Sequence, residues 1–387
     1  MAAIPIYKES NERGERENFY VPHFELRIAG RKLKYDTVRD VIQVTYHDSI
    51  EEIDSFELTI NNWDAQEGAF KYEPPALPEY KNLFDPGQKV ELSMGYLDNL
   101  RLMLVGEITT IEPNYPEAGA PTLAVRGLNV LHTFRKQQHT DSWEGKRYSE
   151  IALEIGSSPV TKDKPGLGLN VRVSSKAMDK EPKEEFVFMN NQFDILFLLQ
   201  MARKLGYSLY LDLDDKGNQF LYFGPALDLR DVTYELEWGK TLSSFRPTLT
   251  TVNQIEEVTV RGWDRRAKKP IEGHAKLGEG DAAAINADQT SVASAIKGRH
   301  EEITSEPVRD QKAADALAGK ILRDQLQEMV KAAGATVGLP DLRAGRKVNI
   351  KKLGNRIDGE YFILDSTHTI NDSGYRTTFN ARREKGI

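Results

Sequence analysis

Apolar and polar residues alternate along most of the chain, which is the two-residue period of a half-buried β-strand. In the first third, the period predicts strands at His23–Ala29, Lys32–Tyr35, Val38–His47 and Asp54–Asn61. The stretch Tyr72–Tyr80 is rich in proline, which cannot donate to a strand ladder, so we predict a surface loop there. Residues 21–137 are therefore predicted to form one antiparallel β-barrel or β-sandwich.

One part of this pattern occurs twice. Phe84–Leu92 and Leu342–Ile350 both contain a turn glycine, a basic residue and alternating apolar positions. Each is followed by a longer alternating run and then by a third strand, in the same order. Any two meanders share such features, but the common Gly-x-Lys-Val start favours a duplicated β-module. The residues that carry the pattern are Gly87, Val90, Gly106, Gly345, Val348, Tyr361, His368, Gly374, Tyr375 and Phe379.

The period changes in the middle of the chain. Ser149–Gly156 and Phe193–Lys204 have the apolar spacing of short helices, and a strand hairpin follows the second of them. We therefore predict a small α+β domain over residues 138–243. Residues 1–20 are polar and charged after Tyr7, which is typical of a flexible N-terminal arm.

Strand periodicity returns at Phe245–Leu249 and Gln254–Gly262. Ala282–Gly298 has no firm pattern and is predicted to be a loop, whereas Asp310–Gln327 has the spacing of an amphipathic helix. We predict a second β-module over residues 244–387, with a loop-and-helix excursion at about 265–327. The predicted fold class is mainly β, with two antiparallel barrels related by duplication and an α+β insertion.

The amino-acid composition limits the classes of function that are open to this protein. The 387 residues are 39% hydrophobic and 29% charged, as in soluble globular proteins, and the net charge of −7 argues against nucleic acid as the main partner. With 0 Cys, disulfides, thiolate nucleophiles and cysteine-based metal sites are excluded. We find neither a signal-peptide pattern nor an apolar run of about 20 residues, so we expect assembly in the cytoplasm without membrane insertion.

The sequence contains no catalytic, cofactor-binding or metal-binding motif. His300–Ile303 begins like a metalloprotease helix, but Thr304 stands where the second histidine is needed. Asp212–Gly217 begins like a calcium loop, but Phe223 stands at the position of the bidentate glutamate, so we predict a β-turn. We expect His368, between two threonines on a strand, to be a structural imidazole rather than a catalytic base.

The chain has one basic concentration, for which two interpretations stay open. It is either a solvated hairpin loop or a contact for an acidic partner protein. The candidate contact residues are Arg265, Arg266, Lys268 and Lys269.

Four stretches, in a shared order, resemble the phage late control gene D proteins. These stretches are Phe84–Ile108, Asp141–Ile151, Asn191–Tyr207 and Gly345–Arg382. That family comprises the tail-hub proteins of contractile phages and is related to the hub portion of VgrG and of extracellular contractile injection systems. The resemblance covers most of residues 21–385, although the Glu-Gly-Lys-Arg-Tyr run after Trp143 departs from the family's usual helix entry.

The resemblance implies a homotrimeric structural hub with two tube-like β-barrels per chain, over residues 21–137 and 244–387. It also implies no catalysis and no cofactors, and a place in a phage tail or an extracellular contractile particle. Its partners would be further copies of the chain, the spike protein, the inner tube protein and other baseplate proteins. A trimer of duplicated modules would present six similar units and could join a hexameric tube to a trimeric spike. The alternatives are a baseplate-associated cell-wall hydrolase and a carbohydrate-binding adaptor, although the 4 Trp are not clustered.

Overall fold

The structure is a computed structural model. It describes residues 4–5, 21–50, 52–73, 80–97, 99–135, 137–157, 169–205, 207–214, 218–225, 232–252, 254–264, 268–277, 291–304, 308, 311–327, 329–354 and 357–383. Within these ranges, no helix has both the length and the apolar character needed to cross a membrane.

The first part of the chain forms strands and one short helix. The strands are β1 (Ile4–Pro5), β2 (Pro22–Ile28), β3 (Arg31–Lys32), β4 (Val41–Ser49), β5 (Ser55–Asn61), β6 (Trp63–Asp64), β7 (Ala69–Phe70), β8 (Lys89–Tyr96), β9 (Asn99–Asn114) and β10 (Thr122–Asn129). Helix α1 (Tyr35–Asp40) precedes β4, and a 3₁₀ helix (Val130–Arg135) follows β10. Strands β2, β4, β5, β8, β9 and β10 enclose a core that includes Leu58, Val90 and Leu104.

The middle of the chain is α+β, as predicted. Its elements are β11 (His139–Lys146), α2 (Tyr148–Ser157), β12 (Asn170–Val173), α3 (Ser175–Lys180), β13 (Glu184–Gln192), α4 (Asp194–Leu205), β14 (Ser208–Leu213) and β15 (Gln219–Gly224). Strands β11 and β13 form a two-stranded ribbon, and β12, β15 and β14 form a three-stranded sheet. A separate core joins these sheets to the apolar faces of α2 and α4 through residues such as Ile151 and Leu198.

The last part of the chain returns to strands. Its elements are β16 (Val232–Glu237), β17 (Leu242–Leu249), β18 (Glu257–Asp264), β19 (Lys269–Lys276), α5 (Ser291–Ile296), β20 (His300–Ile303), α6 (Gln311–Gln327), β21 (Val330–Val337), β22 (Lys347–Lys351), β23 (Gly359–Asn371) and β24 (Gly374–Arg383). Strands β16, β17 and β21–β24 join the first part of the chain in one 14-stranded sheet. The prediction of a mainly β fold is confirmed.

Five strands in each half have the same topology. In chain order, β4, β5, β8, β9 and β10 correspond to β17, β21, β22, β23 and β24. Both sets lie in the sheet in the order third, fourth, fifth, second, first, and all neighbours are antiparallel. We call these sets the first module and the second module. The duplication expected from the sequence is therefore present in the strand topology.

Fine details of the two modules also coincide. The Gly87 N–H donates to the Ile108 carbonyl at 2.8 Å, and the Gly345 N–H donates to the Ile363 carbonyl at 2.9 Å. A β-bulge follows each of these isoleucines in its ladder with the next strand. A bulge is an inserted residue that fixes the local register and twist, so its recurrence aligns the modules residue by residue.

Three strand predictions and one domain assignment need correction. Of the predicted strand Lys32–Tyr35, only Lys32 lies in a strand, β3, and Tyr35 begins α1. Residues 38–40 belong to α1, where Thr37 and Asp40 are buried three positions apart as on one helical face. The predicted strand Gln254–Gly262 is β18, which pairs with β19 and β20 outside the large sheet because α6 covers its apolar face. The segment Val232–Glu237, placed by the sequence in the middle domain, is β16 and pairs in parallel with β22.

Two segments predicted to be irregular contain regular structure. The predicted loop Ala282–Gly298 includes helix α5, and its residues before 291 lie outside the described ranges. Of the predicted N-terminal arm, Ile4–Pro5 form a short strand parallel to β16, and the other residues up to 20 lie outside the described ranges.

Candidate functional site: the junction between the modules

The two modules meet along β23, which is shared between two neighbours on one of its edges. Its first half, Gly359–Phe362, pairs with β22 of its own module. Its second half, Asp365–Ile370, pairs with β4 of the first module. Strand β24 follows β23 along the opposite edge. The ladder therefore runs from one module into the other without a break, and the antiparallel contact holds them at a fixed register.

A buried polar cluster lies beneath this contact. We call it the junction network; it consists of Tyr46, Asp48, Asp54, Arg343, Ser366, His368, Tyr375 and Thr377. Every member is less than a tenth exposed. Buried polar groups are costly unless they are paired, so the local hydrogen bonds decide whether this cluster stabilises the junction.

Arg343 is the cation of the network. Its Nε lies 3.2 Å from Asp48 Oδ2, and its Nη2 donates to the carbonyl of Met103 at 2.8 Å and to the hydroxyl of Tyr46. The Ala344 N–H also donates to Asp48 Oδ2, at 3.1 Å. One turn of the second module is thus bound to strands β4 and β9 of the first by charge-assisted hydrogen bonds.

His368 connects the other members. Its Nε2 lies 3.1 Å from Ser366 Oγ, and its Nδ1 lies 2.9 Å from the Tyr375 hydroxyl and 3.1 Å from Thr377 Oγ1. Ser366 Oγ in turn donates to Asp48 Oδ1. The ring is fully buried. A buried imidazole that bridges three hydroxyl groups suits a structural role.

Burial shifts the protonation of two network members in opposite directions. Burial, with the nearby carboxylate of Asp48, raises the pKa of Asp54 to about 8. Burial also lowers the pKa of His368 to about 4. At pH 7 Asp54 is therefore protonated and His368 is neutral, which leaves Arg343 and Asp48 as the ion pair at the centre of the network.

The opposite side of the same strands is a polar, hydroxyl-rich face that crosses both modules. One row of directly opposed residues runs across five neighbouring strands, namely Arg126, Glu57, Thr45, Thr369 and Arg376. A second row contains Ser55, His47, Thr367 and Thr378. All nine residues are half-buried or exposed. Because side chains alternate along a strand, the network and the polar face are the two sides of one junction.

The residues singled out from the repeat lie at corresponding positions. Gly87 and Gly345 have φ of 90° and 76°, a region that favours glycine, and Val90 and Val348 are fully buried three residues later. Val90 pairs with Gly106, whereas Val348 pairs with Tyr361. Gly374 begins β24, with φ of 112°. Phe379 packs against Gly334, where an added Cβ would lie 2.3 Å from its ring.

Tyr375 links the modules directly. It belongs to β24 of the second module but packs in the core of the first, with its ring centroid 5.6 Å from that of Tyr96. The Tyr96 hydroxyl donates to the Gly338 carbonyl at 2.9 Å. Of the residues predicted from the sequence, the structure therefore brings His368 and Tyr375 into the junction network and distributes the others through the two modules.

The predicted basic contact lies elsewhere. Lys268 and Lys269 are exposed at the turn between β18 and β19, whereas Arg265 and Arg266 lie outside the described residues. Nearby, Arg261 is neutralised by Glu272 at 3.1 Å and by Glu302 at 2.8 Å. Within the described ranges, no cluster of three histidine, aspartate or glutamate side chains is arranged to hold a metal ion. His300–Ile303 is strand β20, not a helix.

Sequence reasoning missed Arg343 and Asp48. The available signal was a difference between the repeats: the turn that reads Asp85-Pro-Gly in the first module reads Arg343-Ala-Gly in the second. A charge reversal at one repeat position indicates that the two turns have different neighbours. Asp48 gave no such signal, because its partners Arg343 and Ser366 lie 295 and 318 positions away in the sequence.

Comparison with known proteins shows the family to which this chain belongs. The chain belongs to the family described as the Alg8 N-terminal domain, whose model matches residues 20–372. That description names a domain and states no activity. No curated protein matches the chain by sequence.

Solved structures share the fold at low sequence identity. The 43 kDa tail protein of prophage MuSo2 from Shewanella oneidensis is 15% identical with a TM-score of 0.66, and the match covers 94% of this chain and 98% of that one. A tail protein from Neisseria meningitidis MC58 is 14% identical with a TM-score of 0.65, covering 94% and 97%. The Escherichia coli c3393 protein, described as a type VI secretion component, is 12% identical with a TM-score of 0.55, covering 93% and 77%. At these identities the likeness is one of fold.

Proposed function

We propose that this protein is a structural hub of a contractile tail or injection machine, of the late control gene D type. The observation that carries the proposal is the pair of topologically equivalent modules joined in one sheet. Its fold is also that of phage tail proteins and of a type VI secretion component. The hub acts through its surfaces, and the chain has no catalytic role and no cofactor.

The symmetry argument gives the mechanism. Three copies of a chain with two equivalent modules form a ring with three exact and six approximate repeats. Such a ring can bind a hexameric inner tube on one side and a trimeric spike on the other. The hub then also contacts other baseplate proteins, and it assembles in the cytoplasm before becoming part of a phage tail or an extracellular particle.

The junction supports this role because a hub must keep its modules in fixed register. The continuous ladder across β23 and the buried Arg343–Asp48 pair both oppose hinge motion between the modules. The polar face then presents one uninterrupted surface of hydroxyl and charged groups to a partner. Neither the hydrolase nor the carbohydrate-binding alternative is favoured by an observation of this kind.

Mass measurement tests the proposal directly. Native mass spectrometry of the purified protein, alone and with its spike and inner tube proteins, should give a species of three times the 43.7 kDa chain mass. That species should bind both partners. A chain that stays monomeric at assembly concentrations and binds neither partner contradicts the hub. Clearing of peptidoglycan that a single point mutation abolishes would instead favour the hydrolase.

A further inference from the structure

The β4–β23 junction joins two strand edges within the chain. The equivalent pair of edges, on the outer half of β9 and the outer side of β17, has no partner strand among the described residues. In the second module, β22 pairs with β23 up to the turn at Gly345, and beyond that turn β4 takes over the same edge. In the first module, β8 pairs with β9 up to the equivalent turn at Gly87. Beyond Ile108, no strand of the described chain occupies that edge of β9.

The complementary edge is open as well. Strand β17 corresponds to β4, and each pairs on one side with the second strand of its module. On its other side β4 pairs with β23. Apart from an isolated bridge between Trp238 and Leu242 at the start of β17, no strand described in the structure lies along the outer edge of β17. The chain therefore has one filled junction and the two separate halves of a second one.

The strand ladders and their bulges show which residues of the first module correspond to which residues of the second. The β4–β5 and β17–β21 ladders each carry a bulge at the same place, which aligns Tyr46 with Pro247 and Asp48 with Leu249. The bulges in β9 and β23 align Ile108 with Ile363, and hence Ile111 with Ser366. Asp48 and Ser366 are directly opposed in the filled junction. Leu249 and Ile111 are therefore the opposed pair of the open one.

The side chains of Leu249 and Ile111 are apolar and partly exposed, as expected for residues that a partner strand would bury. Leu249 is 42% exposed and Ile111 is 39% exposed, although both stand where the filled junction has fully enclosed groups. Exposed apolar residues on an unpaired strand edge are ordinarily selected against, because such an edge promotes association. On the other face, Thr248 comes opposite Glu112, which Arg126 of its own chain already neutralises, and Arg246 lies one diagonal step away. The contact is therefore inferred from the apolar pair.

We propose that β17 of one copy pairs antiparallel with the outer half of β9 of a second copy, with Leu249 opposite Ile111. The occupant of each edge is thus another copy of the same chain. The contact is head-to-tail, so it builds a ring or an open chain of copies and not a two-fold dimer. Pro247 then faces Pro113, and the hydrogen-bond ladder is interrupted at that one pair. The threefold closure rests on the proposed function; the strand register does not.

Paired cysteines test the register, and the natural chain contains 0 Cys to interfere. We expect the full-length Leu249→Cys/Ile111→Cys variant to form intermolecular disulfides under mild oxidation, with a covalent trimer as the largest main product on a non-reducing gel. The matched control is Leu249→Cys/Glu112→Cys, because Glu112 points to the opposite face of β9. It should cross-link at least roughly tenfold less.

The possible outcomes distinguish failure of the proposed strand register from failure of the proposed hub function. Trimers by native mass without the Leu249–Ile111 cross-link overturn this inference and leave the proposed function standing. A cross-link of the Leu249→Cys single variant shows β17 pairing with itself and also overturns it. Cross-linked ladders beyond three keep the register and contradict the threefold ring, whereas a wild-type monomer at every concentration contradicts both proposals.

Hydrogen exchange tests the same two edges without substitutions, and a charged substitution at Leu249 then tests them independently. Hydrogen exchange of the wild-type protein should show protection of the β17 and outer β9 amides in the oligomer and loss of that protection on dilution to monomer. The Leu249→Arg variant should weaken association by roughly tenfold or more. Leu97→Arg is its control, since Leu97 is 58% exposed in the β8–β9 turn away from both edges. Equal effects of the two substitutions contradict the inference.

Discussion

The two modules share five strands but carry their insertions at different points. In the first module the long insertion, residues 62–88, separates β5 from β8; in the second, residues 250–329 separate β17 from β21. Strand β2 lies antiparallel to β8, whereas β16 lies parallel to β22. All of these differences fall outside the shared five strands. The common unit thus keeps equivalent edges, while its surroundings make the two modules different.

The difference is sharpest at one turn position. Asp85 and Arg343 both accept a turn hydrogen bond on the carbonyl, from the N–H groups of Gln88 and Arg346. Asp85 is exposed, whereas Arg343 is buried against the other module. The backbone of the repeat is conserved, and the side chain depends on what lies across the edge.

Removal of the Arg343 side chain should give the largest difference in stability between equivalent positions of the two modules. Arg343→Ala leaves the buried Asp48 without its cation, and the loss of one partner of a buried pair costs about 3–5 kcal/mol. Asp85→Ala, the same change at the exposed counterpart, should alter stability by less than about 0.5 kcal/mol. Urea unfolding of both variants measures the difference. Similar losses in the two variants would show that the junction network contributes little.

The pH dependence of unfolding is expected to be the next largest effect. Asp54 has a raised pKa in the folded state, so its contribution to stability is present at low pH and is lost as pH rises towards about 8. His368 has a lowered pKa, so its contribution is present at neutral pH and is lost as pH falls towards about 4. Between about pH 4 and 6.5 the two slopes oppose each other and nearly cancel.

Above pH 6.5 only the Asp54 contribution changes, and the free energy of unfolding should fall by roughly 2 kcal/mol by pH 8. Asp54→Asn keeps the shape of the protonated group and should remove this fall. Chemical unfolding at half-unit pH steps compares the two proteins. An unchanged slope in the variant would mean that another group titrates. The first module supplies this carboxyl and the second supplies the histidine, so the profile reports on both sides of the junction.

The glycine turns should give the smallest effect and should respond alike. Gly87→Ala and Gly345→Ala each place a side chain at positive φ, which costs about 1–2 kcal/mol. Gly319→Ala is the control, because Gly319 lies in α6 with open space around it and alanine there should stabilise by up to about 1 kcal/mol. Thermal melts of the three variants measure these values. A large difference between the two turns would argue against their equivalence.

Local pattern was enough to predict much of the fold. Period-two alternation located β2, β5 and β23, and the Gly-x-Lys-Val turn revealed the duplication. Local pattern did not predict the sheets to which β16 and β18 belong. The period of a strand indicates which residues share a face, but it does not indicate which strand lies beside it. Glu257–Asp264 alternates in the same way whether it pairs in the large sheet or, as the structure has it, under α6.

The candidate site was less predictable than the fold. His368 and Tyr375 drew attention because they lie in the repeat, but their partners Asp48 and Arg343 come from distant parts of the chain. The distance from Asp48 to Arg343 in sequence gives no local signal, and only the charge reversal at Asp85 and Arg343 hinted at it. The alignment of Leu249 with Asp48 needed the observed bulges, whose positions sequence periodicity does not give.

The pairing of β4 with β23 also sets an order of events during synthesis. His47 and Thr367 hydrogen-bond across 320 positions of the chain. At about 5–20 residues per second, the ribosome needs roughly 15–60 s to make the partner of β4 after β4 itself. Throughout that interval the nascent chain exposes a nine-residue strand edge. Asp48, which later pairs with Arg343, leaves a charge on that edge and so discourages premature pairing with other nascent chains.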